Sequence, residues 1–377
     1  MKTNLRITFL LLIAVAVFGA CRKSTTTQNV NSNLASPPQE TIGGGAAPTG
    51  EKFSFRGWIA NLSIEMTLVR DADKVTGTYF YPRVGKNIDL KGSIDSGGKL
   101  ELRETDETGK DTGVFKGQWK SNETGLAAIE GKWSRPDGSK ETDFELTQQP
   151  IEFTAAVRVV PKVIRENNKE GKYSVTVEYP QIEGDSRFDG FNQQARSMIT
   201  KDIAAFKSAE GNPEEEETVL ADEAQTSTLD IGYNLRFASD DLISLEFSEN
   251  QYSRGAAHGS NITVVLNYDV KNRKKVALAD LFHPKSNYLS VISAYCIKDL
   301  QDQSKKNDML MEDQIKEGAA PRADNYGAWT ITRKGLWITF DAYQVAPYAA
   351  GPQHVLVPYS ALKSIVKPDG AIGNLAG

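Results

Sequence analysis

Apolar residues fall at every second position in short runs from residue 53 to about 150. Ile64, Met66 and Leu68 alternate with polar neighbours, and so do Ile88 and Leu90, Leu100 and Leu102, and Phe144 and Leu146. Successive side chains on a strand point to opposite faces, so each run has one dry face and one wet one. Turn chemistry separates the runs at Asp71-Ala72-Asp73, Asp95-Ser96-Gly97-Gly98, Thr108-Gly109-Lys110 and Pro136-Asp137-Gly138. Short strands at a spacing of about 8–12 residues predict an antiparallel β-barrel or sandwich over residues 53–150. A loose repeat runs through it: Gly77-Thr78-Tyr79, Gly92-Ser93-Ile94, Gly113-Val114-Phe115, Gly117-Gln118-Trp119 and Gly131-Lys132-Trp133. Glycine inside a strand predicts a bulge or bend that curls the sheet, with the side chain two residues on covering the gap. Trp119 and Trp133 then belong to the barrel core.

Residues 153–368 carry a mixed pattern. Alternation at Leu229, Ile231, Tyr233, Leu235 and Phe237 predicts a half-buried strand, and it recurs at Ile243 to Phe247, Ile262 to Tyr268 and Leu336 to Phe340. Helical spacing appears at Phe188, Phe191, Ala195, Met198, Ile199, Ile203 and Phe206, and again at Leu289, Ile292, Cys296 and Leu300. Ser286 is the expected N-cap of the second helix, and Ser360 of a last one through Val366. Few helices on one face of an antiparallel sheet make an α+β domain. Cys296 reads as a small buried hydrophobe, Pro213 with Glu214 to Glu217 as a solvated loop, and residues 369–377 as a tail.

The front of the chain follows a different logic. Lys2 and Arg6 precede an apolar run from Phe9 to Phe18, then Gly19, Ala20 and Cys21. That arrangement predicts an export signal over 1–21, whose stretch from Ile7 to Ala20 is too short at about 21 Å to span a bilayer core of about 30 Å. Val17-Phe18-Gly19-Ala20-Cys21 resembles a bacterial lipobox. The resemblance implies a lipidated Cys21 and a membrane anchor. With Arg22 next, rather than an Asp, the expected address in a two-membrane cell is the outer membrane, facing the periplasm. Residues 22–52, rich in Ser, Thr, Asn, Gly and Pro, have no apolar period and predict a disordered tether.

With 44 Lys and Arg against 49 Asp and Glu, the 377-residue chain has a net charge of −5. No basic stripe is present, which excludes nucleic acid as a partner class. There is no Cys-x-x-Cys, His-Glu-x-x-His, Gly-x-Ser-x-Gly or Gly-x-x-x-x-Gly-Lys. Asp71-Ala72-Asp73 opens like a calcium loop, but Val75 occupies the third ligand position. The three histidines, His258, His283 and His354, are scattered. No catalytic residue, metal or cofactor is expected.

Two stretches carry a family likeness. The first runs from Tyr173-Ser174-Val175-Thr176-Val177-Glu178-Tyr179-Pro180 into the Phe188 to Phe206 helix. The second joins Ser253-Arg254-Gly255-Ala256-Ala257-His258-Gly259 to Asp341-Ala342-Tyr343-Gln344-Val345-Ala346-Pro347-Tyr348-Ala349-Ala350-Gly351-Pro352. Together, over residues 153–368, they resemble the extracytoplasmic domain of RsiV-type anti-sigma factors, also appended to PdaC-type peptidoglycan deacetylases. The resemblance implies binding: in the anti-sigma factors this domain is a lysozyme receptor, and in the deacetylases the chemistry belongs to a separate domain. The paired Asp and His-x-x-x-His of polysaccharide deacetylases are missing here, and no sigma-binding segment is expected. The preceding strand meander resembles small barrels of the lipocalin or avidin kind in its pattern.

Physically, these motifs are backbone devices. Gly255 and Gly259 bracket His258 and permit a tight turn, while Gly351 follows Tyr348 in a second loop. If His258, Tyr343 and Tyr348 converge, they form an amphipathic patch suited to an interface. The alternative is a hydrogen-bonded turn satisfied within itself. The candidate binding residues are therefore Gly255, His258, Gly259, Tyr343, Tyr348 and Gly351. The expected function is a lipid-anchored cell-envelope binding protein for lysozyme or a peptidoglycan-related ligand. The alternatives are an envelope polymer hydrolase using carboxylates and a structural spacer.

Overall fold

The computed structural model describes residues 50–376, apart from 83, 123, 155–156 and 211–225. The expected export signal with Cys21, the tether up to residue 49 and the acidic run Glu214–Glu217 lie outside the described residues.

Eight antiparallel strands follow one another in space as in sequence: β1 (Glu51–Ile59), β2 (Leu62–Asp71), β3 (Lys74–Phe80), β4 (Ile88–Ile94), β5 (Lys99–Thr105), β6 (Asp111–Ser121), β7 (Ala127–Ser134) and β8 (Thr142–Gln148). β8 closes on β1 with Phe55 opposite Gln148 and Ile59 opposite Phe144, so the unit is a barrel and not a sandwich. The dry face of every run, including Phe55, Ile64, Leu68, Leu90, Leu102, Phe115, Ile129 and Phe144, fills the interior. Trp119 and Trp133 lie half-buried against that core, as the repeat predicts.

Of the bulges expected at the glycines, one forms: Glu104 pairs with Gly113 and Thr105 with Asp111, which leaves Thr112 extra beside Gly113. The ladders run in unbroken register through Gly77, Gly92, Gly117 and Gly131. These glycines instead allow close approach: a Cβ on Gly131 would lie 2.5 Å from the Gly117 Cα, and one on Gly117 would lie 2.8 Å from the Phe144 ring. Gly113 leaves room for Glu104, which is buried and accepts from Tyr79 Oη at 2.6 Å and Trp133 Nε1 at 3.0 Å.

The second unit opens with β9 (Ile151–Glu152) and a sheet in the order β10 (Arg158–Asn168), β11 (Tyr173–Glu183), β12 (Ser227–Ser239), β13 (Leu242–Tyr252), β14 (Ser260–Asp269) and β15 (Lys274–Lys275). It is antiparallel except where β12 runs parallel to β11 and to β9. Helix α1 (Asp189–Glu210) intervenes between β11 and β12. It packs Phe191, Ala195, Ile199, Ile203 and Phe206 on the face that carries Leu245 and Phe247.

The opposite face receives a three-stranded sheet, β16 (Trp329–Ile331), β17 (Gly335–Phe340) and β18 (Gln353–Pro358). Side chains fasten it: Ser244 Oγ accepts from Ile331 N at 2.7 Å, and Asn267 Nδ2 donates to Trp329 O at 2.9 Å. Helices α2 (Tyr288–Ser304) and α3 (Glu312–Gly318) complete this layer. Cys296 is fully buried there and burial pushes its thiol far up, so it packs as the expected small hydrophobe.

Two expected caps are corrected. Asn287 holds the N-cap position of α2, while Ser286 Oγ is buried without a partner. Ser360 lies inside a single helical turn, Tyr359–Leu362, whose N-cap is Pro358.

One charged group joins the barrel to the second unit. Arg56 from β1, 8% exposed, reaches Glu65 on β2 and Glu178 on β11, itself 4% exposed, and its guanidinium lies 3.9 Å from the Tyr233 ring centroid on β12. Burial raises the Glu65 carboxyl, against the lowering pull of Arg56.

Candidate functional site

His258 sits in the β13–β14 connection. Ala256 N donates to Ser253 O at 2.9 Å, with Gly255 at φ +81°, a turn that needs a glycine in its third place. Arg254 N donates to Ser227 Oγ at 2.9 Å and ties the turn to the start of β12. Gly259 then passes close to Gln251, whose carbonyl oxygen a Cβ there would meet at 3.0 Å.

Tyr343 and Tyr348 sit in the β17–β18 connection, residues 341–352. Both oxygens of Asp341 accept from Thr263 N at 3.2 Å, and Gln344 Nε2 donates to Gly318 O at 3.1 Å and Asn325 O at 2.9 Å. Gln314 Nε2 on α3 donates to Tyr343 O at 3.1 Å. The loop is thereby held to β14 and α3. Gly351 at φ +66°, ψ −171° occupies a region that only glycine enters without cost.

These two loops bring the three rings together. His258 stacks on Tyr348 with centroids 4.1 Å apart and planes 28° apart, and Tyr343 lies 5.6 Å from Tyr348. Tyr348 Oη donates to Gly259 O at 2.8 Å, and His258 Nδ1 lies 2.8 Å from the same oxygen. A carbonyl only accepts, so Nδ1 carries the hydrogen. In the neutral ring Nε2 is then the acceptor facing Tyr343 Oη at 3.4 Å. The polar tips are satisfied within the turn while the rings stay accessible: His258 is exposed and Tyr343 is 60% exposed. Both sequence alternatives, the satisfied turn and the amphipathic patch, describe this one arrangement. Gly255, Gly259 and Gly351 shape its two loops.

The arrangement presents ring faces held by their polar tips. Among the described residues His258 makes no hydrogen bond to a carboxylate, and Ser260 Oγ lies at hydrogen-bond distance from Gln251 O, at 3.5 Å. His283 and His354 are elsewhere; His354 stacks on Trp337 with centroids 5.1 Å apart. No group of three or more His, Cys, Asp or Glu that could hold a metal occurs among the described residues.

Sequence reasoning missed one carboxyl pair. Glu249 on β13 lies near Asp202 on α1, its Oε1 is buried without a hydrogen-bond partner, and its carboxyl is pushed up to about 7, by burial first and then by the neighbouring Asp202. Asp202 sits within the apolar helical stripe with no local mark to set it apart.

Two family models match the second unit. Residues 166–261 match one described as Deacetylase PdaC, and residues 279–360 one described as Protein of unknown function (DUF3298). His258 lies in the first segment and Tyr343 and Tyr348 in the second, so the ring cluster joins the two; the barrel lies outside both. The chain is 26% identical over 200 residues to the peptidoglycan-N-acetylmuramic acid deacetylase PdaC of Bacillus subtilis (strain 168), covering 52% of this chain and 40% of that protein. It therefore spans well under half of that relative. A solved DUF3298-family structure from Bacteroides fragilis NCTC 9343 is 15% identical and covers 59% of this chain and 98% of its own, with a TM-score of 0.44. Another from Pseudomonas aeruginosa PAO1 is 19% identical and covers 56% and 94%, with a TM-score of 0.42. The expected PdaC-type likeness is found in these matches; the lysozyme-receptor likeness stands on the sequence motifs alone.

Proposed function

We propose that the chain is an exported cell-envelope binding protein, anchored through a lipid on Cys21, that takes a protein or cell-wall ligand on the cluster of His258, Tyr343 and Tyr348. The observation that carries this reading is an open set of three rings whose polar atoms are already satisfied by the two loops that hold them. Such rings lose little conformational freedom on binding, and aromatic side chains fixed in this way are typical anchors of interfaces. The PdaC-type match supports an extracytoplasmic setting, and the sequence motifs make a lysozyme-like protein the first ligand to try.

Titrating residues 51–377 with lysozyme and with soluble peptidoglycan fragments, each at two salt concentrations, tests the reading. Micromolar binding is expected, with Tyr343→Ala weakening it about tenfold. An acidic receptor meeting a cationic protein should also lose affinity as salt rises. No binding of either ligand, or binding indifferent to Tyr343→Ala, overturns the reading.

A further inference from the structure

The net charge of −5 is not spread evenly over the chain. The hairpin that joins β14 to β15 reads Asp269-Val270-Lys271-Asn272-Arg273-Lys274-Lys275, four cations against one carboxylate, and residues 271–275 are all exposed. Five residues are too few to make a stripe along a strand or helix; they make a knuckle. Asp269 is engaged within the turn, accepting from Asn272 N at 2.8 Å and from Asn272 Nδ2 at 2.7 Å. None of the four cations forms an ion pair among the described residues. On the neighbouring β12–β13 turn Asp240 faces Arg187 at 3.6 Å, while Asp241 stands exposed.

The backbone of the knuckle is unusual as well. Arg273 N donates to Val270 O at 3.3 Å, and Arg273 itself has φ +52°, the left-handed place that glycine ordinarily takes in such a hairpin. Holding an arginine there strains the backbone, and it keeps a guanidinium at the apex of a turn whose shape is fixed. A fixed tip with free cations matches an anionic lipid surface, where each Lys or Arg held near the headgroups contributes about 1 kcal/mol.

Its place in the molecule points to the same partner. β14 runs from Ser260, next to the ring cluster, to Asp269 at the hairpin, so the cluster and the knuckle stand about 30 Å apart. The chain crosses from the barrel into the second unit at the hairpin's end: Pro150 O accepts from Ala238 N at 2.9 Å, and on the turn that follows β12 Asp241 O accepts from Val270 N at 2.9 Å. Residues 22–49, between Cys21 and the first described residue, span at most about 100 Å, which brings this end within reach of a membrane that holds Cys21. We propose that the β14–β15 hairpin docks on the anionic headgroups of the lipid surface and so turns the ring cluster away from that surface, towards its ligand. The proposal takes from the functional reading above only that a membrane is close by.

Co-sedimentation of residues 51–377, which contain every strand and helix described, with vesicles of phosphatidylcholine and phosphatidylglycerol (about 3:1, at about 5 mM lipid) tests this without the lipid anchor. Binding is expected at about 50 mM salt, falling steeply by about 300 mM, with none to phosphatidylcholine alone. Lys274→Gln with Lys275→Gln should weaken it about tenfold or more, whereas Lys91→Gln with Lys116→Gln, the same change in charge on the barrel wall, should leave it within about twofold. Arg273→Gly should weaken it about fivefold and yet melt no lower than the parent, because glycine relieves the turn. Tyr343→Ala should leave vesicle binding unchanged, so failure here and failure of the lysozyme titration are separate results. Absence of binding to the charged vesicles, equal binding to the neutral ones, equal loss in the two lysine pairs, full binding by Arg273→Gly, or release by inorganic phosphate at matched ionic strength overturns the proposal.

Discussion

At the residue scale, the proton of Glu249 has a direct thermodynamic reading. The folded carboxyl titrates near 7, above its ordinary value of 4.5, so the folded state binds a proton more tightly than the unfolded one. The stabilisation is complete below about 4.5 and is lost as pH rises through about 7. Glu249→Gln keeps the shape of the side chain beside Asp202 and removes the titration. The variant should melt about 2–4 °C above the parent at pH 8.5 and match it near pH 5, a difference of about 1 kcal/mol once solvent screening is allowed for. Thermal melts across that range check this; parallel curves would refute it. Nothing local announces this pair. His258, Tyr343 and Tyr348, in contrast, were legible as candidates because glycines and a proline frame them, although their stacking depends on a contact between residues 85 to 90 positions apart in the sequence.

At the scale of elements, the barrel was the most legible part, since each strand has one wet and one dry face and period two says which residues point in. Gly113 does sit at a bulge, but the other four glycines misled, because a sequence shows a missing side chain without showing what fills the space. At Gly117 and Gly131 that is the opposing strand itself. Helix α3 was not legible: its seven residues bury only Ile315 and Gly318, too few to display a period. The bracket of Arg56 with Glu65, Glu178 and Tyr233 spans 122 positions from Arg56 to Glu178 and left no pattern at all. It is nonetheless the most consequential polar contact between elements. Arg56→Ala leaves the buried Glu178 and the partly buried Glu65 without their cation and should cost about 3 kcal/mol, read as a lower urea midpoint. Adding Glu65→Gln and Glu178→Gln to Arg56→Met should recover most of it, because the cost is that of unpaired charge and not of lost contact.

At the scale of the molecule, that bracket decides whether the barrel is a detachable spacer. Removing residues 51–148 takes away Arg56 and uncovers Glu178 and Tyr233 on the sheet. The shortened chain should melt well below the parent, and Glu178→Gln should restore part of the difference; a melt unchanged by the deletion would show that the units are independent. Barrel closure has a mechanical side as well. β1 begins and β8 ends at the same rim, where Gln149 N donates to Ser54 O at 2.7 Å and Gln148 faces Phe55. A pull between the front of the chain and the second unit therefore works as an unzipping force at one seam. It meets the Gln149–Ser54 bond and the Arg56 bracket in turn, while the other six staves carry no load until that seam parts.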